Sequence, residues 1–214
     1  MAEFSEIIPI ALFEEKFGVI KEKKIAQNVI ELTKNADSKL YTLSLFIWDE
    51  LVHRKIVSNP YEMSNLIGKE NGLKLYKAIR KKVKREIIKE IYSTSFYNDF
   101  TPDYSFADIS LAQCYPNDIH IMDIELSDTR KPLSIIPNIK KDIRTYHGLN
   151  IFGIILENLK KVARDRNLSR ISLLVGDKNV YPVFTRYGFK LNETLMSKLA
   201  YQNVSEGFSM YIDV

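Results

Sequence analysis

Residues 147–189 hold the clearest alternation of helix and strand signals in the chain, HGLNIFGIILENLKKVARDRNLSRISLLVGDKNVYPVFTRYGF. A glycine-containing loop precedes a predicted helix over Asn150–Arg166, whose apolar residues recur every three or four positions. Arg170–Val175 is short and mostly apolar, which predicts a buried strand. Pro182 then opens a brief helix that ends near Gly188. Because a helix start presents unpaired N–H groups and a partial positive charge, the loop before the first helix predicts an anion site.

The composition limits the class of protein. The 214 residues are 45% hydrophobic, enough for one sizeable core, and no run approaches the roughly 18 apolar residues that span a membrane. The first 17 residues carry acids where a secretory signal carries basic residues, so we expect a cytoplasmic protein. Cys114 is the single cysteine, and the histidines are scattered at positions 53, 120 and 147, so we expect neither a disulfide nor a metal site.

The first half of the chain is predicted to be mostly helical. Helix signals cover residues 8–34, a helix start lies at Asn59-Pro60, and a long helix is predicted over Leu73–Tyr92. Leu40–Val52 is apolar on most sides and predicts a buried helix, with a strand as the alternative. We therefore divide the chain into a largely helical part, 1–100, and a core, 101–214.

The second half adds further strands. Residues 93–117 predict a loop with one strand near Phe106–Ala112, and Phe208–Val214 alternates as a strand with one buried face. In Asp118–Ser127 the alternation changes phase after Ile121, which indicates either a β-bulge or a strand buried on both faces. Together these elements predict an α/β protein, with a central mixed sheet flanked by helices.

The segment from Asp118 to Phe189 resembles the core of the GNAT N-acetyltransferase superfamily. The resemblance is carried by the strand IHIMDIEL, the loop TYHGLN, the helix IFGIILENLKKVARDRN, the strand ISLLV and the ending FTRYGF. It covers about a third of the chain and implies a GNAT-like acyltransferase fold. It also implies transfer of an acetyl group from acetyl-CoA, or of another acyl group from its acyl-CoA, to an amine.

The resemblance also implies a cofactor site. The pyrophosphate loop would be Thr145–Ile151, with Arg144 just before it. Backbone N–H groups of four residues would bind the phosphates: His147, Gly148, Asn150 and Ile151. The pantetheine arm would lie beside Ile124, Glu125 and Leu126, and Asn179 matches an asparagine after the next strand. Asn150 stands where the family prefers Gly or Ala, and Phe152 where a further Gly is common.

The resemblance is less complete at the catalytic positions than at the cofactor site. Glu125 matches a catalytic or water-positioning glutamate of some family members, although a solvated strand carboxylate would look the same. Phe184 occupies the position of the usual general acid, and a phenyl ring has no proton to give. Tyr181 and Tyr187 lie close enough to replace it, or could simply pack in the core. His147 is a possible base in the loop. A GNAT-like module that binds without catalysing is therefore a second hypothesis.

A cluster of basic residues raises a third hypothesis. It lies in the predicted helix 73–92 and comprises Lys74, Lys77, Arg80, Lys81, Lys82, Lys84 and Arg85. Such a run contacts nucleic-acid phosphates in some proteins and is a solvated helix face in others. The acceptor amine would accordingly be a small molecule or part of a macromolecule.

Overall fold

A computed structural model describes residues 3–99, 102–127, 150–205 and 207–214. The helices are α1 (Ile10–Phe17), α2 (Val29–His53), α3 (Gly72–Val83), α4 (Ile151–Asp165), α5 (Tyr181–Arg186) and α6 (Leu195–Leu199). The strands are β1 (Ile20–Ala26), β2 (Ile88–Asn98), β3 (Ala107–Cys114), β4 (Asp118–Leu126), β5 (Arg170–Val175), β6 (Lys190–Leu191) and β7 (Phe208–Asp213). In the part of the chain so described, no helix has the length and apolar composition needed to cross a membrane.

All seven strands form one mixed sheet in the order β1-β2-β3-β4-β5-β7-β6. β4 and β5 are parallel neighbours, whereas the other neighbouring pairs are antiparallel. Parallel neighbours need a crossover connection, and α4 lies between β4 and β5 in the chain. The predicted mixed sheet flanked by helices is confirmed.

Helices cover both faces of the sheet. One core cluster packs α4, α1 and the short 3-10 turn Phe4–Ile7 against one face. A second cluster packs α2 and α3 against the opposite face. We call these the α4 face and the α2 face. β4 contributes Ile119 and Ile121 to the α4 face, so its alternating residues Asp118 and His120 point to the α2 face.

The predicted bulge is present in β4. Ser110 of β3 pairs with Asp123, and the next residue, Leu111, pairs with Ile121, so Met122 is the extra residue. The extra residue shifts the alternation by one position, which keeps Ile124 on the α4 face together with Ile121. This explains the phase change in the sequence.

The elements predicted from residues 147–189 are confirmed. α4, β5 and α5 lie within one residue of their expected bounds, and Gly188 has a φ of 91°. The buried helix over Leu40–Val52 is also confirmed as part of α2, and the alternative of a strand there is wrong. β7 is the expected terminal strand.

The helix predicted over 73–92 is wrong in its second half. α3 ends at Val83, Lys84 adopts a left-handed conformation with φ 53°, and β2 begins at Ile88. A spacing of four residues, as between Ile87 and Ile91, suits one face of a strand as well as one face of a helix. The apolar stripe in the sequence therefore runs from helix α3 into strand β2.

Three further expectations need correction. Residues 20–26 form a strand rather than a helix; β1 is an edge strand that carries exposed lysines. Residues 93–98 belong to β2 rather than to a loop. At Asn59-Pro60 there is a turn, in which the Asn59 side chain accepts a hydrogen bond from the N–H of Tyr61, and no α-helix begins there. The sheet takes strands from both sides of position 100, and the division into parts 1–100 and 101–214 stays a prediction.

Candidate active site

The pairing between β4 and β5 stops before either strand ends. It covers four residue pairs, from Asp118 with Arg170 to Ile121 with Leu173. β4 then continues from the bulge at Met122 to Leu126, while β5 continues to Val175 in its pairing with β7. We call the place beyond Ile121 and Leu173, where the two parallel strands no longer pair, the opening. An extended ligand can bond to strand backbone that has no neighbouring strand.

Helix α4 comes after β4 and before β5 in the chain. The N-cap residue of α4, Asn150, has φ 49° and ψ 31°. Asparagine adopts this left-handed conformation more readily than most residues other than glycine. The side chain of Asn150 does not cap α4; instead, its Oδ1 accepts a hydrogen bond of 2.9 Å from the Tyr187 hydroxyl.

The β4 residues predicted to contact the cofactor lie beyond the last β4–β5 pair. Ile124 and Leu126 are partly buried against the α4-face core. Glu125 is exposed and stands opposite Asp108 of β3 in the sheet register. Glu125 therefore lies on the opposite side of the strand from its two neighbours.

The aromatic residues of α5 pack together. The Phe184 ring lies 5.7 Å from that of Phe152 and 5.9 Å from that of Phe189, and the Tyr187 ring lies 5.0 Å from that of Phe152. The two departures from the family pattern, at 152 and 184, thus contact each other. A phenylalanine in place of the usual acid fills space beside a phenylalanine in place of the usual glycine.

The remaining predicted residues are more scattered. The Tyr181 ring lies 5.2 Å from that of Tyr201, away from the hydrogen bond of Tyr187. Asn179 is an exposed turn residue whose N–H donates to Asp177 at 2.8 Å. Four predicted cofactor residues lie outside the described residues: Arg144, Thr145, His147 and Gly148.

A buried charged cluster, none of whose residues is a predicted site residue, lies on the α2 face. Arg170 lies 3.0 Å from Glu50 and 2.9 Å from Asp118, and Asn192 donates to Glu50 at 2.7 Å. Burial would raise the pKa of Glu50, but the bonds from Asn192 and the charge of Arg170 hold it below its ordinary value. The signal available in the sequence was the pair Asp49-Glu50 inside an otherwise apolar helix.

His120 is fully buried in β4 beside this cluster. Its Nδ1 lies 3.0 Å from the Ser172 hydroxyl, and its ring stacks on Phe46 of α2 at 4.2 Å. Burial lowers the pKa of His120 to about 3, so the ring is neutral near pH 7. In the described part of the molecule, its Nε2 has no hydrogen-bond partner.

The basic residues do not all share one helix. Lys84 and Arg85 follow α3, yet five cations line one surface cavity of about 430 Å³: Lys77, Arg80, Lys81, Lys84 and Arg85. Some of the charge is neutralised, because Arg80 pairs with Glu86 and Lys82 with Glu62. Over the described ranges, no group of three or more His, Cys, Asp or Glu side chains is arranged to hold a metal ion.

Comparison of the fold with solved structures finds similarity to several acetyltransferases. A GNAT-family acetyltransferase from Staphylococcus aureus Mu50 is 12% identical, with 91% of this chain and 99% of that chain covered and a TM-score of 0.39. A PaiA N-acetyltransferase from Thermoplasma acidophilum, solved with coenzyme A, is 17% identical, with 92% and 99% covered and a TM-score of 0.37. An acetyltransferase from Streptococcus agalactiae is 10% identical, with 91% and 98% covered and a TM-score of 0.35. No protein-family profile and no curated protein matches the sequence.

Proposed function

We propose that the chain is an acyl-CoA-dependent N-acyltransferase of the GNAT type, with acetyl-CoA or another acyl-CoA as cofactor. The observation that carries the proposal is the end of β4–β5 pairing after Ile121 and Leu173, directly beside the bulge at Met122. The motif resemblance over Asp118–Phe189 predicts an acyl-CoA site at this opening, and the strand register agrees with it.

In this proposal the cofactor lies across the opening. Its pantetheine arm bonds to the backbone of Ile124–Leu126 as an added strand would. Its pyrophosphate binds at the start of α4, where the first-turn N–H groups are not capped by Asn150. Gly148 and its neighbours complete that phosphate site by resemblance to the family loop.

The reaction moves the acyl group from sulfur to nitrogen. The neutral amine attacks the thioester carbonyl carbon, a C–N bond forms, and the C–S bond breaks. The proton that leaves the nitrogen ends on the CoA sulfur, so amine and acyl-CoA become amide and free CoA thiol. We propose Glu125 as the group that orients the amine or a water to remove its proton. Since Phe184 has no proton to donate, the candidates for an acid are Tyr181 and Tyr187. We propose Tyr181, because the Tyr187 hydroxyl already donates its hydrogen to Asn150.

A thiol-release assay tests turnover. The protein is incubated with acetyl-CoA and a panel of amines, and free CoA is measured with a disulfide reagent. Cys114 gives little background, because this single cysteine is buried and burial raises the pKa of its thiol well above the ordinary value. Amine-dependent CoA release supports the enzyme. Acetyl-CoA binding without release from any amine supports the non-catalytic module instead.

A second candidate function rests on the basic cavity beside α3. Five cations line one concave surface with Glu86 as the acidic residue among them, and this arrangement suits a phosphate backbone. Nucleic-acid binding there is compatible with acyl transfer to an amine carried by a nucleic acid. It is also compatible with a protein that binds nucleic acid alone.

A further inference from the structure

A second cavity lies on the α2 face, between α2 and the α6–β7 region. Its volume is about 220 Å³, roughly that of seven water molecules in the liquid, so it has room for a chain of a few heavy atoms. Much of the wall is apolar and includes Leu45, Phe46, Leu174 and Met196. One carboxylate, Asp49, also lines it. A small cavity with apolar walls and one carboxylate suits a ligand that has an apolar part and one positively charged group.

Asp49 is one of the buried residues in the wall of this cavity. It is 7% exposed, whereas Met196 and Leu174 in the same wall are 46% and 36% exposed. Burial raises the pKa of Asp49 to about 6, although the Thr194 side chain and the Met196 N–H favour the charged form. It is therefore mostly ionised at pH 8.

The negative charge of Asp49 is not neutralised by an ion pair. Its neighbour Glu50 pairs with Arg170 and Arg54, but over the described ranges no Lys or Arg forms an ion pair with Asp49. His53, on the same helix, lowers the pKa of Asp49 by less than burial raises it. A buried carboxylate without a cation is costly unless a ligand brings one.

The cavity wall includes a residue that is next in the chain to the end of the β4–β5 pairing. Leu174, which lines the cavity, directly follows Leu173, the last residue of β5 that pairs with β4. α4 packs on the other face of the sheet, so the cavity is separated from the proposed phosphate site by the sheet itself. A ligand in the cavity would therefore meet the proposed thioester from the α2 face.

We propose that this cavity binds the acceptor, and that Asp49 selects acceptors carrying a second ammonium group. The inference rests on the proposed function. The second ammonium would bond to Asp49, the hydrocarbon spacer would contact Leu45 and Phe46, and the reacting amine would lie near Leu174. The substrate class is a small aliphatic diamine with a spacer of about four to six carbons, given the cavity volume. The residue acts on specificity, because it touches the substrate away from the reacting nitrogen.

The test compares pentane-1,5-diamine with pentylamine and 5-aminopentanol in wild type, Asp49→Asn and the matched control Asp213→Asn. Asp213 is an exposed carboxylate at the end of β7 that pairs with Lys190. Loss of a charge-assisted hydrogen bond should raise the diamine KM of Asp49→Asn about 10- to 100-fold. The KM for pentylamine and the affinity for CoA should change less than about threefold, and the control should behave as wild type. Because the substitution removes a buried charge, the Asp49→Asn variant should unfold at no lower temperature than wild type at pH 8.

A binding measurement separates failure of this inference from failure of the proposed function. Pentane-1,5-diamine is titrated into each variant by calorimetry, with and without CoA. Weaker diamine binding in Asp49→Asn alone supports the cavity even if no acyl transfer occurs. Equal diamine affinity in wild type and Asp49→Asn, or no binding to wild type in either condition, overturns the inference. Neither result bears on whether acetyl-CoA binds at the opening.

Discussion

The Tyr187 hydroxyl donates a hydrogen bond of 2.9 Å to Oδ1 of Asn150, joining the end of α5 to the first residue before α4. The Asn150 amide therefore bonds to Tyr187 and does not cap the first turn of α4. Gly153 makes room for it, since a Cβ at that position would lie 2.4 Å from the same Oδ1. Asn150, Gly153 and Tyr187 thus pack together at the start of α4.

Tyr187→Phe distinguishes a positioning role from acid catalysis. We expect a loss of about 1 kcal/mol in the free energy of unfolding and an acetyl-CoA affinity a few-fold weaker, with kcat within about threefold of wild type. Urea denaturation, calorimetry and steady-state kinetics measure these. Tyr61→Phe is the control, because Tyr61 is 78% exposed. A kcat about 100-fold lower with unchanged cofactor affinity would instead identify Tyr187 as the acid.

A double-mutant cycle checks the role of Gly153 in the same contact. In Gly153→Ala the added Cβ displaces the Asn150 amide, so adding Tyr187→Phe should change stability by less than about 0.5 kcal/mol. Helix propensity favours alanine by up to about 1 kcal/mol, so Gly153→Ala alone should not be strongly destabilising. Fully additive effects of the two substitutions would show that the hydrogen bond survives the added methyl group.

His120→Gln should flatten the dependence of stability on pH. Burial depresses the pKa of His120 from 6.5 to about 3, so the unfolded chain binds a proton between these values and the folded protein does not. Stability is therefore present above pH 6.5 and is lost as pH falls through that window. By pH 4.5, two units below the unfolded value, wild type should have lost about 2 to 3 kcal/mol more than the variant, by urea denaturation. Parallel pH profiles for the two proteins would mean that His120 is protonated in the folded state.

The basic cavity is tested by triple substitution. The first variant replaces three of its five cations, Lys77, Lys81 and Lys84, with Ala. The control variant replaces three exposed cations elsewhere, Lys23, Lys161 and Arg164, with Ala. If the cavity binds nucleic acid, the first variant should bind a DNA duplex or tRNA at least about tenfold more weakly, with a salt-dependence slope smaller by about 2 to 3. Equal losses in both variants would indicate binding by net charge alone.

The sequence was most informative where structural signals are local. The helix α4, the strand β5 and the bulge at Met122 follow from periodicities within a few residues, and all three are present. β2 was missed because its polar residues look like a loop in isolation. In the fold, the Ser93 hydroxyl lies 2.7 Å from that of Ser110, and Thr94 donates to Glu22 at 2.9 Å. Their partners come from other strands.

The α2-face cavity could not be predicted for a related reason. Asp49 and Ser209 line the same space although they are far apart in the chain, and no local pattern signals their meeting. The motif resemblance pointed to the opening between β4 and β5, because it is carried by contiguous residues. The acceptor side depends on how α2 packs across the sheet, which the resemblance does not cover.

The most direct test of the account is a calorimetric titration of acetyl-CoA into wild type and Gly148→Val, with Glu125→Gln as the comparison. The account predicts binding to wild type at millimolar cofactor or tighter. It predicts that Gly148→Val weakens binding more than Glu125→Gln does, because a bulky side chain crowds the phosphates whereas Glu125 contributes backbone contacts. No heat and no thermal shift at millimolar acetyl-CoA would contradict the claim that the opening between β4 and β5 is a cofactor site.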